Sequence, residues 1–268
     1  MSKTLRHLAL FGAAVFFLMP VYVLVVTSLK SAGEVDVGNM WALPKSLSLE
    51  TFAAVWPKLD KGMLNSLILA VPASLISSLL GAANGFVLAK WRFPGADIVF
   101  PVILFGMFIP YQAIIIPMFY VMSAIGMYGG LDGLILVHII YGLPITTLIF
   151  RSYFSGLSDE LIEAARVDGA GMLRTFVLIG LPLALPAFAV SMIWQFTSTW
   201  NDFLFGVILT LPEFSPVTVA LNNIAGAQTV PFNQAMASAF LASVPTLIVY
   251  LLLGRFFMRG LMAGALKG

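Results

Sequence analysis

Cysteine is absent from the 268 residues, which removes disulfides, thiol nucleophiles and thiolate metal sites from consideration. Charge is almost as scarce. Only 10% of the chain is Asp, Glu, Lys or Arg, against about 25% in soluble domains. The net charge of +2 forms no basic stripe of the kind that binds nucleic acid. No G-x-x-x-x-G-K-S/T phosphate loop occurs, so this chain is not expected to hydrolyse ATP by itself. The two histidines, His7 and His138, stand far apart with no ligand cluster by spacing, and no metal site is expected.

What fills the space is apolar: 60% of the residues are hydrophobic. Leu8–Ser28, Met63–Ala89 and Ile98–Leu131 carry no charge at all. About 20 apolar residues cross a bilayer as a helix, whereas barrel strands alternate over roughly ten residues. The runs here are continuous. The expected fold class is therefore an all-α polytopic membrane protein with six spans, at roughly 8–28, 63–89, 98–122, 133–151, 176–210 and 235–254. The first apolar run, of about 21 residues, exceeds a signal-peptide core of about 7–15, so it is read as a retained anchor. Residues 1–62 form an anchor and first outer loop, and 63–268 the main transmembrane domain. In the outer loop, "SLSLETF" reads as a short helix start, and the loop as a cap over the bundle mouth. The glycines of "SAIGMYGG", Ser123–Gly130, should break the third run. Span five is expected to tilt, or to bend at Trp200-Asn201-Asp202. Pro110, Pro117, Pro182 and Pro186 should each interrupt helical hydrogen bonding, more as static kinks than as hinges.

Lysine and arginine placement sets orientation. With the N-terminus in the cytoplasm, Lys90, Arg92, Arg151, Arg166, Arg174, Arg255 and Arg259 fall inside, and the later outer loops carry no Lys or Arg. Both termini are then cytoplasmic.

Against this background "DELIEAARVDGAG" is an anomaly. Asp159, Glu160, Glu163 and Asp168 put four carboxylates within ten residues, with Arg166 among them. Ser158 reads as an N-cap, and Asp159 and Glu160 suit the positive end of the helix dipole. Asp168-Gly169 reads as a stop, because glycine enters the left-handed region freely. A short acidic helix does not suit anionic lipid, and the small Ala164 and Ala165 allow close approach by another protein.

The stretch "EAARVDGAGMLRTFVLIGLPLALP" resembles the EAA loop of ATP-binding-cassette (ABC) importer permeases. Glu163-Ala164-Ala165, Gly169, Ile179 and Leu181-Pro182 match every fixed position of that pattern, within a loop spanning 158–182. "NSLILA", "WNDFL" and "RFFMRGLMAGALKG" extend the resemblance over nearly the whole chain, toward the carbohydrate importers and the smaller maltose-type permease. Leu157-Ser158 departs from the Ile-Pro found in many relatives, but serine can cap in its place. The resemblance implies a type I importer permease in the bacterial inner membrane, paired with a homologous permease. It implies an ATPase dimer that binds ATP and Mg, and a periplasmic or lipid-anchored sugar-binding protein. It assigns ATPase coupling to Glu163, Ala164, Ala165, Asp168 and Gly169, and a C-terminal ATPase contact to Gly264, Lys267 and Gly268.

Polar groups inside a bilayer usually face the bundle interior or water. Gln112, Gln195, Trp200, Asn201 and Asp202 are the candidates for a substrate path, while Asn84 and His138 are read as structural. The substrate is expected to be a mono- or small oligosaccharide of glucose or mannose type. The alternatives are an ABC permease for glycerol phosphate or another solute, and a stand-alone secondary transporter using Asp202 and His138.

Overall fold

The computed structural model describes residues 3–91, 93–227 and 230–265. Its α-helices are α1 (Lys3–Ser28), α2 (Glu50–Lys90), α3 (Ala96–Phe105), α4 (Tyr111–Ala124), α5 (Leu131–Ser155), α6 (Asp159–Val167), α7 (Met172–Thr175), α8 (Leu181–Leu183), α9 (Leu185–Trp200), α10 (Leu204–Leu209), α11 (Val217–Gly226) and α12 (Phe232–Ala265). Among the described residues no strand is present beyond an isolated bridge between Gly129 and Thr210.

Four helices are long and apolar enough to cross a membrane: α1, α2, α5 and the Phe232–Gly254 part of α12. Two bent pairs, Ala96–Phe108 with Tyr111–Ala124 and Met172–Leu183 with Leu185–Trp200, raise the number to six if each is one span.

The structure corrects the expected spans in three places. The second is far longer than 63–89: "SLSLETF" opens no separate short helix but leads into α2, which is continuous from Glu50 to Lys90. The third is broken, its halves meeting at 98°. Pro110 lacks an N–H and is extended (ψ 118°), so the chain leaves the helix there and α4 starts afresh. Pro117, in contrast, is carried inside α4 without ending it. The expected fifth span, 176–210, is divided as well. A π-helical turn at Phe176–Gly180 precedes Pro182 and Pro186, and the two arms bend by 77° at Ala184. The expected bend at Trp200-Asn201-Asp202 is present, since α9 ends at Trp200 and α10 begins at Leu204.

By their contacts the residues group into two units. Met1–Met63 with Val217–Val244 form the first. Here α1 buries only Val26, Thr27 and Ser28. Lys30 is buried, and its ammonium donates to the Asn39 carbonyl at 2.6 Å. Asn233 Nδ2 donates to both the Lys30 carbonyl and Thr51 Oγ1 at 3.0 Å. Phe52 and Phe240 pack edge to face beside this polar knot.

Leu64–Pro216 with Pro245–Gly268 form the second unit. Its packing follows from small residues. Gly81 and Gly85 of α2 form a G-x-x-x-G face against α5. A Cβ on Gly85 would come within 2.6 Å of the Arg151 nitrogen and 2.7 Å of Phe150 Cβ. Apolar collapse gives little drive inside lipid, so close backbone approach and hydrogen bonds hold such helices together. Ser78 and Ser191 hydroxyls meet at 2.8 Å between α2 and α9, and Thr146 Oγ1 donates to the Ser77 carbonyl at 3.0 Å. One apolar cluster gathers Leu69, Ile115, Met122, Leu134, Val137, Phe205 and Leu209. Another gathers Ala82, Phe86, Phe150, Phe154, Ile162, Ala184 and Ala187.

Candidate functional site

The second unit holds two separate arrangements of polar residues. The first is built on α6, the helix that follows α5 after a tight turn. Ser158 caps it by accepting from the Glu160 N–H at 3.2 Å, and Gly169 stops it with φ +76°. Ile162 and Ala165 are buried on its inner side, where Ile162 joins the Phe86–Phe150–Phe154 cluster.

Charge then divides by direction. Lys90, at the end of α2, has a side chain only 3% exposed. It reaches Asp159 Oδ1 at 2.5 Å and donates to the Leu157 carbonyl at 2.7 Å. Arg166 lies with its guanidinium 4.5 Å from the Trp91 ring centroid and donates to the Lys90 carbonyl at 3.4 Å. The two ends of α6 are thereby both fastened to Lys90 and Trp91, at and just past the end of α2, leaving a recess of about 660 Å³ that Glu163 also lines. Glu160, Glu163, Ala164 and Asp168 are exposed. So are Leu161 and Val167, the latter at 87%. Among the described residues Glu163 makes no ion pair. The face turned to solvent is thus apolar in the middle and acidic at its edge. Leu161 and Val167 lie on that face and not on the buried one.

The second arrangement is a recess of about 420 Å³ between α5, α9 and the α9–α10 bend. Gln195, Asn201 and Asp202 line it, together with Trp194, Ser198, His138 and Tyr141. Asp202 accepts from the Phe205 and Gly206 N–H groups at 3.3 and 3.0 Å, capping α10, and faces His138 Nε2 at 3.4 Å. Gln195 is buried, and its amide donates to the His138 carbonyl at 2.9 Å. Gly142 makes room for it: a Cβ there would lie within 2.5 Å of Gln195 Nε2.

Two candidates are placed elsewhere. Trp200 is buried, its ring stacked on Phe196, and Gln112 is exposed at the start of α4. His138, read from sequence as structural, is on the recess wall. The overlooked signal was spacing: 194, 198 and 201 fall on one helical face, as do 138, 141 and 145. Lys90 and Trp91 had no such signal, because their partners are 67 and more residues away in sequence. Asn84 Nδ2 reaches Thr147 Oγ1 at 3.5 Å between α2 and α5. Of the expected C-terminal contacts, Gly264 falls within α12, and Lys267 and Gly268 lie outside the described residues.

Apolar helices joined by small-residue contacts, a polar recess among them, and a short amphipathic helix fastened at the end of one span define a membrane-embedded permease. The chain belongs to the family described as binding-protein-dependent transport system inner membrane component, whose model matches residues 81–262. As such it is a transporter component and not an enzyme. It is 32% identical over 270 residues to the glucose import system permease protein GlcU of Saccharolobus solfataricus, covering 98% of this chain and 94% of that protein. A probable ABC transporter permease protein of Pyrococcus horikoshii is 46% identical over 167 residues, covering 62% of this chain and 61% of that relative's length. A crystal structure of a bacterial ABC transporter involved in the import of the acidic polysaccharide alginate contains a chain of the same fold. The TM-score is 0.77 with 24% identity, over 96% of this chain and 99% of that one.

Proposed function

We propose that this chain is one of two homologous permease subunits of an ATP-driven, binding-protein-dependent sugar importer of the bacterial inner membrane. Both termini face the cytoplasm in this reading. A separate ATPase dimer, holding ATP and Mg, engages α6, and a periplasmic or lipid-anchored sugar-binding protein delivers the substrate from outside. Residues Glu163, Ala164, Ala165, Asp168 and Gly169 form the ATPase coupling surface, and Gly264, Lys267 and Gly268 a further contact. The observation that carries the reading is the division of charge on α6: Asp159 and Arg166 are engaged by Lys90 and Trp91, while Glu163, on the rim of the same recess, is exposed and makes no ion pair among the described residues. A basic group on the ATPase would pair with Glu163, and Leu161, Ala164 and Val167 would enter its cleft. Sugar as substrate is supported by the glucose importer relative, which matches along nearly the full length. A mono- or small oligosaccharide of glucose or mannose type fits best.

The test is co-purification of the ATPase with the permease pair, followed by uptake in liposomes with the binding protein. Glu163→Gln and Gly169→Ala should weaken association and uptake together. Unchanged assembly and uptake in both variants would remove the assigned role of α6.

A further inference from the structure

The recess between α5 and α9 is built differently from the helix contacts around it. Trp194, Ser198 and Asn201 recur along one face of α9 and all three are exposed, Trp194 at 56%. Among the described residues, neither the side-chain amide of Asn201 nor the Ser198 hydroxyl makes a hydrogen bond within the chain. Tyr141 and His138 stand on the opposite wall, from α5. Two polar groups left unused inside a membrane-spanning bundle are costly unless something meets them, and the open indole beside them offers an aromatic face. The volume of about 420 Å³ lies in the range of about 300–1,000 Å³ typical of small-molecule sites.

Charge narrows the ligand class. Among the described residues no lysine or arginine lines the recess. Its two ionisable groups, His138 and Asp202, face each other at 3.4 Å. Asp202 is further occupied by two backbone N–H groups. An anionic ligand would find no cation and would meet the Asp202 carboxylate in a region of low dielectric.

Resting on the sugar-importer reading above, we propose that this recess is a substrate subsite of this subunit for one uncharged pyranose ring. The C–H face of the ring stacks on Trp194. Asn201 and Ser198 hydrogen-bond its hydroxyls. Gln195, bonded to the His138 carbonyl, is a positioning residue that fixes the wall and makes no direct contact. The subsite selects neutral sugars over uronates and sugar phosphates.

The test is saturation-transfer-difference NMR on the assembled permease pair in lipid nanodiscs, with methyl β-D-glucopyranoside and D-glucuronate as probes. The neutral glycoside should give a saturable signal, strongest on its axial ring protons. Trp194→Ala should weaken its binding roughly fivefold or more, from loss of the aromatic platform, and Trp194→Tyr should retain most of it. Glucuronate should bind more weakly than the glycoside. Absence of a saturable signal from the glycoside, an unchanged signal in Trp194→Ala, or tighter binding of glucuronate would each overturn the proposal. The assay contains no ATPase, so failure of the importer reading is seen separately: the ATPase would not co-purify while the glycoside still bound.

Discussion

Replacing Lys90 with methionine should detach α6 from the end of α2 while leaving the apolar stem of the side chain in place. Lys90 is nearly buried (3% exposed), but its partner Asp159 is 76% exposed, so the ion pair itself is worth at most about 0.5 kcal/mol. The stronger interaction is the charge-assisted bond from Lys90 Nζ to the Leu157 carbonyl at 2.7 Å, worth about 2 kcal/mol. Together these amount to roughly 2–2.5 kcal/mol, or a shift of about 30–60-fold in the docked-to-undocked ratio of the helix. Hydrogen exchange measured by mass spectrometry reads this ratio directly, because amides of Ser158–Val167 exchange when the helix lifts. Protection of that peptide should fall by about the same factor in Lys90→Met. Lys90→Arg, which keeps the donor and the charge, should retain most of it. Lys58→Met removes a distant exposed bond to Gln234 and serves as the control. Unchanged protection in Lys90→Met would mean that burial of Ile162 and Ala165 alone holds α6, and the clamp would have no energetic role.

Three further outcomes follow from local geometry. Gly169 has φ +76°, and a Cβ there would meet nothing within 4 Å; Gly169→Ala should therefore cost about 1 kcal/mol through backbone strain alone, with Gly169→Asn milder, as read by exchange of the α6 peptide. Gly85→Ala should destabilise the fold by about 1–3 kcal/mol, seen as a lower melting temperature in detergent, because the added carbon would press on Phe150 and the Arg151 backbone; Gly12→Ala, with open space around it, should leave the melting temperature unchanged. Asp202→Ala removes the acceptor of two N–H groups at the start of α10 and should cost about 1 kcal/mol in the same melt, with Asp202→Asn closer to the parent protein.

The features legible in the sequence were those that depend on neighbours along the chain. Uncharged runs gave the membrane class, because lipid forbids unpaired charge over the whole length of a span. The Ser158 cap and the Gly169 stop were legible because each acts within three residues of itself. The N-terminal extension of α2 was hidden: Lys58, Asp60 and Lys61 break the apolar pattern although the backbone remains helical. Proline signalled bends without ranking them. Pro110 ends a helix while Pro117 is absorbed, a difference set by the tertiary surroundings and not by the residue. The Lys90–Asp159 pair and the Trp194 recess required the fold, since each joins segments that the sequence alone does not bring together.

The division of charge on α6 separates binding from transmission. A helix of nine residues is marginal in isolation, because nucleation costs more than so few hydrogen bonds return. Its shape is therefore supplied by Ile162, Ala165 and the fastening at Lys90 and Trp91. If α6 is the docking helix proposed above, Glu163 can recruit the ATPase only as firmly as its exposed charge allows, and that charge alone moves nothing. Motion of the ATPase reaches the spans through the contacts that hold α6 to α2. Two phenotypes should then be distinct in the assembled importer. Glu163→Gln should lower ATPase association and leave sugar uptake per ATP unchanged in the complexes that still form. Lys90→Met should leave association near normal and lower uptake per ATP, and the exchanged pair Lys90→Asp with Asp159→Lys should restore uptake only in part, because the new lysine cannot reach the Leu157 carbonyl from the buried side. Equal losses of association in both single variants would show that the helix binds and transmits through the same contacts, and the separation argued from its geometry would fail.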